Sequence, residues 1–150
     1  AYKSGFRKIA IFSSQQPWES LQAKFFEDQF EKLGGRIVIK VEPLPNVNTL
    51  SSEALKIVAS KPDAVFMSLL IQQAIAAKEL LKLNFNKPKF AAIVDQARML
   101  EADGALEGTI FFTYQKPSEE FEIKFNSYFH AIPEIPAAAS YDAIYEYAKA

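Results

Sequence analysis

The sequence predicts an α/β fold, a three-layer αβα sandwich built on a mainly parallel sheet. Three observations predict it. Short apolar runs alternate with amphipathic stretches along the whole chain. The runs are continuous instead of alternating in polarity, as strands are when helices cover both faces of a sheet. Helix-length segments separate successive runs, which is what crossover connections between parallel strands require.

The first strand is expected at 7–12, followed by a turn at 13–17. Pro17 suits the first helical position, where its missing N–H would be unpaired anyway. A helix over 17–33 carries Leu21, Phe25, Phe26, Phe30 and Leu33 as its expected core stripe. Gly34-Gly35 stops it, with one glycine expected in the left-handed C-terminal position. The second strand is read at 36–41, and Pro43 and Pro45 make the next segment a loop. Thr49 or Ser51 is expected to cap a helix over 51–60, with Leu50, Leu55, Ile57 and Val58 as apolar members. A third strand at 63–67 leads to a helix over 72–83 carrying Ala74, Ala77, Leu80 and Leu81 inward. Strands at 90–94 and 108–112 enclose a short helix or turn at 99–106. Pro117-Ser118-Glu119-Glu120 opens an aromatic helix with Phe121, Phe125, Tyr128 and Phe129 at spacings of three and four. Two prolines break the chain at 132–136, and a last helix covers 137–150. It has no stop signal and reads as truncated. Residues 1–5 read as a disordered lead or linker.

At 150 residues the chain is long enough for a real core, and its 49% hydrophobic and 23% charged content is that of a globular protein. A net charge of −1 gives no basic field for nucleic acid and no cationic face for a membrane. With no cysteine and one histidine, disulfides, thiol catalysis, a histidine triad and multi-histidine metal sites are excluded. His130 reads as a surface or half-buried residue near a helix end. No phosphate loop or GxGxxG follows any strand, so nucleotide binding has no support. No cofactor or metal is expected. No signal peptide is present; an exported protein would make this chain a mature form or an excised piece.

Parallel sheets put ligands at the carboxyl ends of their strands. Four loops are expected there: 13–18, 68–72, 95–98 and 114–116. Trp18, the only tryptophan, starts a helix off its apolar stripe; it either stacks on a small ligand or packs on its own loop. Asp95 emerges from an apolar strand and either pairs with a ligand amine or caps the segment after it. Leu69, Leu70 and Ile71 either contact an apolar ligand or form a first helical turn facing inward. Tyr114 is the fifth candidate.

The order of segments resembles the second lobe of type I periplasmic binding proteins, in the branch serving ABC transporters for leucine, isoleucine and valine. Arg7-Lys8-Ile9-Ala10-Ile11 opens the lobe, and Phe30-Glu31-Lys32-Leu33-Gly34-Gly35 precedes the second strand. Lys61-Pro62-Asp63-Ala64-Val65-Phe66 is the third strand, and Leu106-Glu107-Gly108-Thr109 precedes the fifth. Phe125-Asn126-Ser127-Tyr128 and Ser140-Tyr141-Asp142-Ala143 look like the family's later helices. The resemblance implies a two-lobed protein whose first lobe precedes this segment. Residues 5–132 would be the ligand-binding lobe, and 133–150 a crossover and helix belonging to the missing first lobe. That helix would find a new surface, fray, or pair with a second copy as a homodimer.

The implied function is capture of a small molecule, a branched-chain amino acid or related apolar compound, for the membrane subunits of an ABC importer. It is not enzymatic. The implied location is periplasmic or at the cell surface, with a lipid anchor as one option for the longer protein. Trp18, Leu69, Leu70, Asp95 and Tyr114 would form one wall, Asp95 matching an acidic residue that contacts a ligand amine. Departures from the family pattern also stand. Trp18-Glu19 replaces a Tyr-Gly pair, Thr49-Leu50-Ser51 replaces Asp-Phe-Ser, and Leu69 to Ile71 are unusually apolar. They lean towards an apolar ligand, or towards a ligand-free interaction or regulatory protein of the cell envelope.

Overall fold

Continuous apolar strands need cover on both faces, and the chain supplies it with helices. The computed structural model describes residues 1–112, 117–133 and 137–149. It divides into two units, Ala1–Phe112 and Thr113–Ala150. The first contains strands β1 (Lys8–Ser13), β2 (Arg36–Val41), β3 (Ala64–Ser68), β4 (Lys89–Ala91) and β5 (Ile110–Phe111). It also contains helices α1 (Pro17–Lys32), α2 (Ser51–Ala59), α3 (Gln73–Lys82) and α4 (Gln96–Ala102). The second unit contains α5 (Glu119–Phe129) and α6 (Ala137–Lys149).

The sheet order is β2-β1-β3-β4-β5, and all four pairings are parallel. Successive strand residues point to opposite faces, so each central strand feeds two cores. Ile9, Ile11, Ala64 and Phe66 pack with Ala23 and Phe30 of α1. Ala10, Phe12, Val65 and Met67 pack with Leu50, Ile57, Ala77 and Leu80 beside α2 and α3. The result is the expected α/β sandwich.

The face that α1 turns to the sheet keeps Phe26 and Phe30 of the expected stripe but not the rest of it. Glu19, Ala23 and Phe30 are its buried residues, while Leu21, Phe25 and Leu33 are exposed. Small Ala23 lets the helix approach the sheet closely, and Phe26 stacks on Phe66 with centroids 4.1 Å apart. Apolar spacing alone cannot select this face, because one of its inward residues is a glutamate. Leu81 of α3 and Leu55 of α2 are likewise exposed. Neither Thr49 nor Ser51 caps α2; Leu50 holds that position and the Ser51 hydroxyl donates to Glu79 Oε2 at 2.7 Å.

Gly34 has φ 92°, the left-handed stop expected after the helix. A Cβ on Gly35 would fall 2.2 Å from the Phe30 ring, so glycine is what lets β2 start against that ring. Residues 2–4 are ordered, not a disordered lead. They form a 3-10 turn, with Tyr2 edge-on to Phe30 at 6.1 Å and the Arg7 guanidinium 4.0 Å above Tyr2.

In the second unit, the Ser118 hydroxyl caps α5 by accepting the Phe121 N–H at 3.2 Å. Phe121 meets Tyr141 of α6 edge-on at 5.6 Å. Exposed His130, at φ 50°, ends α5. No described residue of α5 or α6 is buried. Among the described residues no helix is long and apolar enough to cross a membrane.

Candidate functional site

From β1 the chain runs out to β2 on one side and returns to β3 on the other. The connections therefore diverge at the carboxyl ends of β1 and β3, leaving a crevice where open α/β sheets receive ligands. Ser13 and Ser68 are opposite each other in the ladder at that point.

Every buried polar side chain among the described residues lies at or just after these two strand ends: Ser13, Ser14, Glu19, Ser68, Gln72 and Gln73. Their hydrogen bonds run between loops. Glu19, in the first turn of α1, accepts the Leu70 N–H on Oε1 at 2.7 Å and the Ser14 hydroxyl on Oε2. The Ser14 oxygen in turn accepts the Gln16 N–H at 3.1 Å. The Ser68 hydroxyl donates to the Glu19 carbonyl at 2.8 Å and lies 3.1 Å from Gln22 Oε1. Gln72 Nε2 donates to the carbonyls of Leu44 and Val47, tying down the proline loop at 43–48. Gln73 Nε2 donates to the Ile93 carbonyl at 2.9 Å, while its Oε1 is buried without a partner.

These ties frame a shallow open groove, with a cavity of about 10 Å³, lined by Trp18, Gln22, Met67, Ser68, Leu69, Leu70, Ala92 and Ile93. Among the expected residues, the structure brings Trp18, Leu69 and Leu70 together on it. Trp18 is half exposed, Leu70 half-buried, and Leu69 is buried in the core beneath. Ile71 points to solvent at 52% exposure, so the trio is not an inward helical turn. Asp95 is not among the lining residues. Its Oδ1 accepts the Arg98 N–H at 2.7 Å and caps α4, one of its two expected roles. Arg98 pairs with Glu101 and reaches the Ile71 carbonyl at 3.2 Å. Tyr114 lies outside the described residues.

Sequence reasoning passed over Glu19, Gln22, Ser68, Ala92 and Ile93. Glu19 carried a usable signal: an acid in the first turn of a helix, five residues after Ser14, the serine just past a strand. The rest depend on which strands are neighbours.

At the opposite edge Asp63 accepts the N–H groups of Arg7 and Lys8 at 3.0 and 2.8 Å. These bonds, more than the nearby lysines, hold its carboxyl below the usual aspartate value. Burial pushes the Lys89 ammonium, at the start of β4, below its ordinary value.

The sequence profile of a family described as periplasmic binding protein matches residues 1–150. The chain has no significant match among curated proteins. Several solved structures are similar. A Rhodospirillum rubrum protein assigned to branched-chain amino acid ABC transport is 22% identical, with a TM-score of 0.85, over 95% of this chain and 44% of that one. The leucine binding protein LivK of Thermotoga maritima is 20% identical, with a TM-score of 0.81, over 95% and 43%. A Rhodopseudomonas palustris ABC transporter solute binding protein in complex with benzoate is 17% identical, with a TM-score of 0.77, over 94% and 41%. The chain thus spans less than half the length of each.

Proposed function

This chain belongs to the periplasmic binding protein family, and we propose that it forms one of two walls that close on a small molecule outside the cytoplasm, for delivery to an ABC importer. The observation that carries the reading is the groove at the β1–β3 switch point. It is open and shallow, with a cavity of only about 10 Å³ against the roughly 300–1,000 Å³ of a complete small-molecule site. It makes sense as half of a site. The other half would be a first lobe outside this sequence, with residues 5–132 as the ligand-binding lobe and α6 as the return into its partner. Closure about a hinge, stabilised by ligand contacts to both walls, is the mechanism.

The ligand class we propose is a branched-chain amino acid or a related apolar compound. Trp18, Met67, Leu69, Leu70, Ala92 and Ile93 give the groove its apolar character. Trp18, Leu69 and Leu70 are the residues we assign to contact, with Asp95 and Tyr114 kept as candidates for its rim. The membrane subunits of the importer would be its partners, with an α6-mediated homodimer as a further option. One observation favours the competing reading, a ligand-free interaction or regulatory protein of the envelope. The Asp95 carboxylate, the candidate for a ligand amine, is engaged in capping α4.

A thermal-shift screen of the protein with both walls, against leucine, isoleucine, valine and benzoate, tests the proposal. A ligand at ~100 times its dissociation constant stabilises the fold by roughly 2.7 kcal/mol, and the chain alone should show no such shift. Tight binding by the chain alone would overturn the two-wall mechanism. Silence with both walls present would favour the ligand-free reading.

A further inference from the structure

We propose that Glu19 is a resident anion. It fills a carboxylate-accepting site that the switch point would otherwise present, and so turns the carboxylate of a ligand away from this wall. This deepens the solute-binding reading and rests on it for the ligand; the geometry of Glu19 stands by itself.

Glu19 is 5% exposed. Both of its oxygens are engaged, Oε1 by the Leu70 N–H and Oε2 by the Ser14 hydroxyl. It also sits in the first turn of α1, where unpaired N–H groups and the helix dipole favour negative charge. A backbone N–H and a hydroxyl converging on one point are a donor pair that receives a carboxylate. The protein supplies that carboxylate itself. Ser68, the polar group lining the groove between these loops, is likewise engaged, with the Glu19 carbonyl and beside Gln22. No charged side chain among the described residues lines the groove. A ligand carboxylate entering it would find the Ser68 hydroxyl and the Leu70 N–H already engaged, with the Glu19 carboxylate behind them. Such a ligand gains more by facing Trp18 and Leu70 with its apolar end. Glu19 is a positioning residue in this scheme, because it also clamps the loop carrying Leu70 to the start of the helix carrying Trp18.

The test needs no transported ligand, so its failure and a failed ligand screen are distinguishable. In Glu19→Ala the deleted atoms are those of acetate. Amide hydrogen exchange of Leu70 and the melting point of this chain are measured for wild type, Glu19→Ala and Glu19→Gln, with sodium acetate or acetamide. Glu19→Ala should lose about tenfold or more of the Leu70 protection. Acetate should restore protection and raise the melting point in that variant beyond its effect on wild type, and acetamide should do neither. A folded Glu19→Ala that ignores acetate overturns the proposal. If Glu19→Ala does not fold, Glu19→Gln decides. It keeps the volume and an oxygen for the Leu70 N–H, but turns an amide N–H towards the Ser14 hydroxyl, so its melting point should fall below wild type; an unchanged melting point overturns the assignment.

Discussion

At the amino edge of the sheet the turns are tied by backbone pairs and one partly exposed carboxylate. Asp63 N–H donates to the Lys8 carbonyl at 2.7 Å, Arg36 N–H to that of Arg7 at 2.8 Å, and Asp63 gathers two further N–H groups. At the carboxyl edge the ties come from buried serines, glutamines and a glutamate reaching between loops. Water can replace what is lost at the first edge. At the second the glutamate, serine and glutamine side chains that make the ties are themselves buried, so less of what is lost is recovered from water. An edge built that way holds its loops in one arrangement, which suits a surface that must present a fixed shape to a ligand.

The largest effects should not distinguish the edges. Phe12→Ala near the carboxyl end of β1 and Ile9→Ala near its amino end should each cost about 2–5 kcal/mol in urea unfolding, since both side chains are fully buried. Costs that differ by more than about 2 kcal/mol would place the asymmetry in packing instead of in polar ties. Next in size is Gln72→Ala, which removes the buried amide that bonds the Leu44 and Val47 carbonyls. It should cost about 1–3 kcal/mol and speed proteolysis within the 43–48 loop.

Asp63→Ala should cost less, about 1 kcal/mol at neutral pH once solvent screening is allowed for. The sign of its pH dependence follows from the direction of its shift. The folded carboxyl titrates below its unfolded value, so its contribution is complete above the unfolded value. It fades as pH falls through the folded one. Wild type and Asp63→Ala should therefore converge in stability in acid. If Asp63→Ala costs more than Gln72→Ala at pH 7, the contrast between the edges fails. Smallest of all is Lys24→Ala on the exposed face of α1. It breaks the 3.0 Å pair with Asp28 and should change stability by no more than about 0.5 kcal/mol.

Much of the fold was legible because its elements are local. The helix stop at Gly34, the helix start at Pro17 and the cap at Ser118 each follow from one residue's backbone or side-chain chemistry. The buried face of α1 was not. Leu21, Phe25 and Leu33 lie at helical spacing, yet the sheet receives Ala23 and Phe30, with Glu19 on the same face. A buried glutamate is inward only because Ser14 and the Leu70 N–H meet it, and those partners lie 5 and 51 residues away. The site divided in the same way. Trp18, Leu69 and Leu70 follow strand ends and were expected at this edge, whereas Ala92 and Ile93 line the same groove only because β4 pairs with β3.

By itself the sequence determined that strands and helices would alternate and that the strands would be buried on both faces. Period, propensity and punctuation act over a few residues, and a single chain displays them. Only the tertiary structure decided that β1 and β3 would be neighbours with their connections diverging, and hence where the crevice opens. It also decided which polar side chains would be buried there. Strand order and polar satisfaction are properties of distant pairs, set by which partner arrives within hydrogen-bond distance, and no local pattern contains them.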